Sequence, residues 1–382
     1  MWPLMKDSIT LVDKLRLCYF LLKNSKLTQG KTVEEFEKAW SEWLNCNYSV
    51  FVNSGSSANL LLFDALATFY NIRKGSKVLV PATTWTTTVS PIVQLGYTPI
   101  FCDVNKRNFG MDVDAMKEIA KQHPDISVVF VAHLLGLASP VEEYKKIFPT
   151  AIFIQDICES HGVLNPKGQK YGSEVSTEGA TFSFYFGHHM TSIEGGMISV
   201  NSKGLYNVLK MKRSHGLSRE SIDPSKYTEE NPHIDPHFLF MYPGYNLRNT
   251  ELYAKLGLIQ LKRLDKFIKR RKSNFRKFYL LLEQYPDKFI LPEYQEGNSS
   301  FCLPFICRQE GLVDILKTKF KAAGIEYRPV IAGNLLQHPA YKKYATPVPN
   351  ADYIHKNGVY VGNNQFVGSK ELKILEKLLK EL

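Results

Sequence analysis

The strongest constraint in this chain is the alternation, over residues 48–156, of short apolar runs with helix-forming segments. The runs Tyr48–Asn53, Lys77–Pro81, Thr98–Cys102, Ser127–Ala132 and Ala151–Gln155 are five or six residues long and rich in Val, Ile and Phe. A strand wet on one face alternates polar with apolar residues, whereas a strand covered on both faces reads as continuous apolar sequence. Asp114–Gln122 and Pro140–Phe148 lie between such runs with helical character. The pattern predicts an α/β fold whose sheet is mostly parallel and clad by helices. Ligands of such sheets sit at the carboxyl ends of the strands. Ser54-Gly55-Ser56 follows the first run, and Asp156 follows the last.

Further helices are expected over Ile9–Lys23 and over Thr32–Leu44, where Val33, Phe36, Trp40 and Trp43 form one stripe. A long helix over Asn249–Gln284 would bridge to a second lobe. That lobe holds an apolar run at Ser300–Ile306, a helix over Leu312–Ala323, the segment Gly324–Arg328 and a closing amphipathic helix from Lys370. A chain of 382 residues is long for one core. The expected division is a large cofactor-binding domain over 1–248, with an N-terminal helical segment, and a bridging helix with a small C-terminal domain over 249–382.

Composition narrows the function. No apolar run approaches the roughly 20 residues of a membrane helix, and the N-terminus lacks the basic start and apolar core of a signal peptide. The expectation is a cytoplasmic protein without membrane contact. Six scattered cysteines form no CxxC pair or zinc spacing, so they read as buried free thiols and no metal site is expected. The net charge of +11 admits nucleic-acid binding as a minor alternative. The densest basic run, Lys262–Lys272, interleaves with Leu261, Leu264, Phe267 and Ile268 at helical spacing, and reads as a solvated helix face. No nucleic-acid partner is therefore expected, and part of the charge would draw in a diphosphate substrate.

Three sites carry chemistry on their own residues. Ser54–Asn59 places small residues and hydroxyls at a strand-to-helix turn, where backbone N–H groups and the helix dipole would hold a phosphate. Serine is also a common helix cap, so this turn alone does not specify a ligand. Asp156 ends an apolar strand, where a buried carboxylate needs a partner such as a protonated pyridine nitrogen, or else caps the next helix. Trp85 could stack on a flat ring or simply fill core.

The ordered set Leu27-Thr-Gln-Gly30, Ser54–Asn59, Pro81-Ala-Thr-Thr-Trp85, Asp156, Ser183-Phe184, Glu194-Gly-Gly196 and Pro243–Arg248 resembles the DegT/DnrJ/EryC1 family of nucleotide-sugar enzymes. The resemblance covers nearly the whole chain. It implies the aspartate-aminotransferase architecture (fold type I), pyridoxal or pyridoxamine 5′-phosphate (PLP or PMP) as cofactor, and a homodimer with shared active sites. In that family a lysine five residues after the serine forms a Schiff base with the cofactor. Here the stretch Phe182–Met197 reads FSFYFGHHMTSIEGGM and puts His188 at that position. Imidazole moves protons but cannot form the imine. The resemblance is closest to the family's histidine-bearing 3-dehydratase branch, acting on GDP-4-keto-6-deoxy-D-mannose. Phe186–Met190, Arg213–Arg219, Arg328–Asn334 and Asn357–Gln365 match it.

Carried over by position, the resemblance gives Gly55, Ser56 and Ser183 to the cofactor phosphate, Trp85 to the ring face and Asp156 to the pyridine nitrogen. Glu159 would lie beside the cofactor, and Asn246 would reach the phosphate from the other subunit. His215, Arg219, Arg248 and Arg328 would contact glutamate or the sugar nucleotide, and Ser25, Lys26, Leu27 and Thr28 the nucleotide portion. His188 is the expected catalytic base, with His189 in support. An ordinary imidazole pKa of ~6.5 suits that role.

The implied reaction removes the 3-hydroxyl of a 4-keto-6-deoxy sugar, with L-glutamate restoring PMP, in the building of 3,6-dideoxyhexoses such as colitose for lipopolysaccharide O-antigen. A related dehydratase group uses a [2Fe–2S] cluster, which needs about four thiolates. After His188 only Cys302 and Cys307 remain, so no iron–sulfur cluster is expected. The alternatives are a sugar aminotransferase using His188 unconventionally, and a non-catalytic homologue that binds PLP or a sugar nucleotide.

Overall fold

A computed structural model describes all residues, Met1–Leu382. Seven strands form the central sheet: β1 (Tyr48–Val52), β2 (Lys77–Pro81), β3 (Thr98–Cys102), β4 (Val128–Ala132), β5 (Ile152–Asp156), β6 (Gly179–Ser183) and β7 (Gly196–Val200). Their order is β1-β7-β6-β5-β4-β2-β3, and only β7 runs against the rest. The mostly parallel sheet expected from the apolar runs is present. Its two faces explain why those runs do not alternate. Val128, Phe130 and Ile154 face one core, while Val129, Val131 and Phe153 face another.

The sequence reading did not single out β6 and β7. Gly179-Ala-Thr-Phe-Ser183 and Gly196-Met-Ile-Ser-Val200 are buried at every residue but dilute their apolar signal with Gly, Thr and Ser. Gly196 cannot carry a side chain, because its Cβ would lie 2.2 Å from the Ser54 carbonyl oxygen. That close approach brings β7 against the turn after β1.

The helices of the large lobe are α1 (Leu11–Lys23), α2 (Lys31–Leu44), α3 (Gly55–Phe69), α4 (Thr86–Gln94), α5 (Val113–Gln122), α6 (Val141–Ile147), α7 (Lys203–Arg213) and α8 (Pro224–Glu230). Thr10 caps α1 in a reciprocal box with Asp13, which sets its start at Leu11. The bridging helix α9 runs Glu251–Leu282, capped by Thr250. Beyond it an antiparallel sheet, ordered β10-β11-β9-β8, joins β8 (Phe289–Ile290), β9 (Cys302–Cys307), β10 (Tyr327–Pro329) and β11 (Gly358–Gly362). Helices α10 (Leu312–Ala322), α11 (Pro349–Asn357) and α12 (Ser369–Lys380) pack around it. The N-terminus docks here too: Trp2 bridges Ile325, and its indole N–H donates to the Gly362 carbonyl at 3.0 Å.

Two expectations need correction. Arg271, inside the basic run of α9, is only 2% exposed rather than part of a solvated face, because its guanidinium donates to the carbonyls of Phe301 and Asn363. Cys18 is exposed on α1 rather than buried, and Cys46 and Cys158 are half-buried. No helix is long and apolar enough to cross a membrane.

Candidate active site

The carboxyl ends of the parallel strands surround a cavity of about 340 Å³. Seven of the expected residues line it: Gly55, Ser56, Trp85, Asp156, Glu159, Ser183 and His188. They come from the carboxyl ends of four strands, β1 (Gly55, Ser56), β2 (Trp85), β5 (Asp156, Glu159) and β6 (Ser183, His188), so the sheet register sets their spacing.

At one end the N-terminus of α3 opens onto the cavity. Ser54 caps it, its hydroxyl accepting from the Ser57 N–H at 3.1 Å. Gly55 leaves its backbone N–H bare of side-chain cover. A Cβ there would stand 2.6 Å from that of Ser183, so only glycine permits this approach of α3 to β6. Free N–H groups, a positive helix end and the hydroxyls of Ser56 and Ser183 make a donor set suited to a phosphate.

The floor is Asp156. Its Oδ2 accepts from Asn59 and Thr88, both at 2.8 Å, and its Oδ1 accepts the Cys158 N–H at 3.0 Å. The carboxylate is 7% exposed, fixed in place, and lines the cavity. A protonated ring nitrogen would find a held acceptor there. The helix-cap alternative is not realised. Asn59 and Thr88 were not assigned this role from sequence, although Asn59 lies in a quoted motif and Thr88 only three residues beyond Trp85. Asn59 is one turn beyond Gly55, which is the signal that could have found it.

Trp85 stands at the start of α4 with its indole 55% exposed, one wall of the cavity. Glu159 accepts the Leu135 N–H at 2.9 Å. Burial, reinforced by nearby Asp156 and opposed by that N–H, pushes its carboxyl up to about 7.

His188 sits on the turn between β6 and β7 and enters the cavity from the side of the small sheet. Its backbone N–H donates to the Tyr185 carbonyl at 3.0 Å, and its ring lies 5.5 Å from that of Phe301. Nδ1 is buried without a hydrogen-bond partner, which leaves Nε2 as the nitrogen open to the cavity. Burial, and then the Arg271 guanidinium, lower its pKa to about 3. The ordinary imidazole value expected from sequence is corrected: the ring is held neutral, the form that accepts a proton. No lysine lines the cavity. His189 is buried, and its Nε2 faces the Ser299 carbonyl at 2.9 Å.

The remaining expected residues do not reach this cavity within one chain. Asn246, Arg248 and His215 form an exposed cluster of their own. Arg248 Nε donates to Asn246 Oδ1 at 3.0 Å, and its Nη2 lies 3.4 Å from His215 Nε2. Lys26 and Arg219 line a separate polar cleft beside α2 and α7. Ser25 and Thr28 are exposed, and Leu27 is half-buried. Arg328 is exposed on β10, paired in register with Tyr360. Met5, His133 and Phe301 line the cavity from segments with no quoted motif, while Tyr185, Glu194 and Tyr360 lie inside quoted motifs but were given no role there. No group of three or more His, Cys, Asp or Glu side chains is placed to hold a metal ion.

Comparison with known proteins bears on the family and the fold. The model of the DegT/DnrJ/EryC1/StrS aminotransferase family matches residues 12–377. GDP-4-keto-6-deoxy-D-mannose 3-dehydratase of Yersinia pseudotuberculosis is 34% identical over 382 residues, covering 94% of each chain. A crystal structure of a histidine-to-asparagine variant of GDP-4-keto-6-deoxymannose-3-dehydratase (ColD) with bound GDP-perosamine superposes with a TM-score of 0.91. It is 29% identical and covers 99% of this chain and 100% of that one. A structure of the same enzyme with a trapped PLP-glutamate geminal diamine has a TM-score of 0.88 at 28% identity, covering 99% and 100%. The fold is that of the fold type I enzymes, and the chain belongs to the DegT/DnrJ/EryC1/StrS aminotransferase family.

Proposed function

We propose that the protein removes the 3-hydroxyl of a nucleotide-linked 4-keto-6-deoxyhexose, GDP-4-keto-6-deoxy-D-mannose, using pyridoxamine phosphate and L-glutamate. The observation that carries this reading is a neutral histidine in a cavity that no lysine lines. The similarity to 3-dehydratases supplies the sugar and the nucleotide.

Bound as PMP, the cofactor supplies a primary amine for the 4-keto group and a ring that delocalises negative charge. The chain's residues do the rest. The α3 N-terminus with Ser56 and Ser183 would hold the phosphate, Asp156 the ring N–H, and Trp85 one ring face. His188 Nε2 would take a proton from the cofactor's C4′ carbon and then protonate the departing 3-hydroxyl. Atoms balance without another reductant: the sugar loses one oxygen, and glutamate leaves as 2-oxoglutarate with release of ammonia. The product, a 4-keto-3,6-dideoxy sugar, is the type from which colitose and related surface-polysaccharide sugars are built.

Asn246, His215 and Arg248, with Ser25–Thr28, Arg219 and Arg328, would complete the site of a second subunit in a homodimer. Supporting this are their position outside their own cavity and the large exposed apolar residues Leu11, Leu15, Tyr19, Leu22, Phe238 and Phe240. The test incubates the protein with PMP, GDP-4-keto-6-deoxymannose and glutamate, following the sugar by mass spectrometry and ammonia alongside. A deoxygenated keto-sugar with ammonia is expected, and His188→Asn should lower kcat by about 10²–10⁴. An amino-sugar product would establish an aminotransferase instead.

A further inference from the structure

Behind His188, on the side away from the cavity, lies a second buried histidine that the reaction above does not use. His161 follows β5 by five residues. Gly162 turns the chain at φ +73°, where a Cβ would meet Ile268 of α9 at 2.7 Å. The His161 side chain is 0% exposed, and neither ring nitrogen has a hydrogen-bond partner. A buried polar group left unpaired is destabilising, so this one calls for a reason. Its ring lies 6.1 Å from that of His188 and 5.2 Å from that of His189.

Four nitrogens in this cluster are buried and unpartnered: His188 Nδ1, His189 Nδ1 and both of His161. Their tautomers follow from one fixed contact. His189 Nε2 meets the Ser299 carbonyl at 2.9 Å, and a carbonyl only accepts, so Nε2 carries the proton and Nδ1 a lone pair. The Ser299 hydroxyl is itself spent on the His161 carbonyl at 2.6 Å. A neutral imidazole has one donor and one acceptor. His161 can therefore donate to His189 Nδ1 only if its other nitrogen accepts, and the remaining imidazole beside it is His188. Pairing these four with one another, in preference to a bond from His161 to the Ser183 carbonyl beside it, would make two hydrogen bonds and fix the order of protons along the chain.

We propose that His161 is a positioning residue, donating to His189 Nδ1 and accepting from His188 Nδ1–H, so that the His188 Nε2 lone pair faces the cavity. This rests on the reading of His188 as the base. Hydrogen-bonded imidazoles have ring centroids about 5 Å apart, so a shift of about 1 Å brings His188 into the bond. Catalytic hydrogen bonds are often long before substrate binds and tighten in the complex. The chain of three rings would do for His188 what a carboxylate does for the histidine of a hydrolase triad, holding one tautomer and easing the positive charge that appears on proton uptake.

The experiment is nitrogen-detected NMR of histidine-labelled protein, with His188 assigned through His188→Asn, beside steady-state kinetics. In the wild type His188 should carry its proton on Nδ1. His161→Phe should abolish that preference and lower kcat by about 10- to 100-fold with KM little changed. His161→Gln, whose amide both accepts and donates, should restore part of each. A His188 protonated on Nε2 in the wild type would overturn the proposal, since the lone pair would then face the interior and the buried Arg271. So would His161→Phe with unchanged tautomer and kcat. The tautomer can be read even in a protein that transforms no keto-sugar, so a failure of the proposed function is separable from a failure of this one.

Discussion

His188 and Glu159 face one cavity, and burial shifts their pKa values in opposite directions. Desolvation penalises whichever form is charged, so the imidazole falls to about 3 while the carboxyl rises to about 7. For Glu159 the consequence is measurable without any ligand. Its folded pKa lies above the ordinary 4.5, so its contribution to stability is full below pH 4.5 and is lost as pH rises through 7. Glu159→Gln, uncharged throughout, should match the wild type near pH 4.5 and exceed it by about 1–3 kcal/mol at pH 8. Thermal melts of both proteins across that range test this, and a pH-independent difference would show that the carboxyl is not desolvated. Residue identity at position 188 was legible in the sequence because motifs on both sides fix its place. The state of the ring was not, because it depends first on burial in the folded chain and then on Arg271, which lies 83 residues away and within 3.4 Å of the His188 carbonyl.

At the scale of elements, close approach of backbones decides the geometry. Gly55→Ala would place its Cβ 2.6 Å from that of Ser183 and force α3 off β6. Such overpacking costs about 1–3 kcal/mol. We expect PMP affinity to fall about tenfold or more, read by absorbance titration; unchanged affinity would move the phosphate away from α3. A second element contact lies behind the sheet, where α2 meets α7. The Arg213 guanidinium, 2% exposed, bonds Glu37 Oε1 at 2.5 Å and the Phe51 carbonyl at 3.0 Å, while Glu37 also accepts the Phe51 N–H. Glu37→Ala strands that cation and should cost about 3–5 kcal/mol in denaturant unfolding. Strands β1 to β5 were readable from their apolar runs, as were the amphipathic helices. Strands β6 and β7 were not, because they sit centrally in the sheet, tolerate glycine at close contacts, and end in Ser183 at the cavity rather than in an apolar packing residue.

For the whole molecule, the arrangement of one chain leaves a cavity that no arginine lines, with nothing there to meet a glutamate or diphosphate. Arg248, Arg219 and Arg328 all lie elsewhere. In a homodimer with shared sites, mixing inactive His188→Asn subunits with inactive Arg248→Ala subunits should restore about a quarter of wild-type activity, since half the dimers are mixed and each holds one intact site. Activity no greater than that of the separate variants would place Arg248 in its own chain's site. The family, the sheet class and the histidine at the lysine position are local or ordered properties of the sequence, so the sequence by itself determined them. Tertiary structure alone decided the protonation of that histidine, the hold on Asp156 by Asn59 and Thr88, and the inward turn of Arg271. Each of these depends on which groups meet in a water-poor interior, and that is set by the register of strands and helices far apart in the chain.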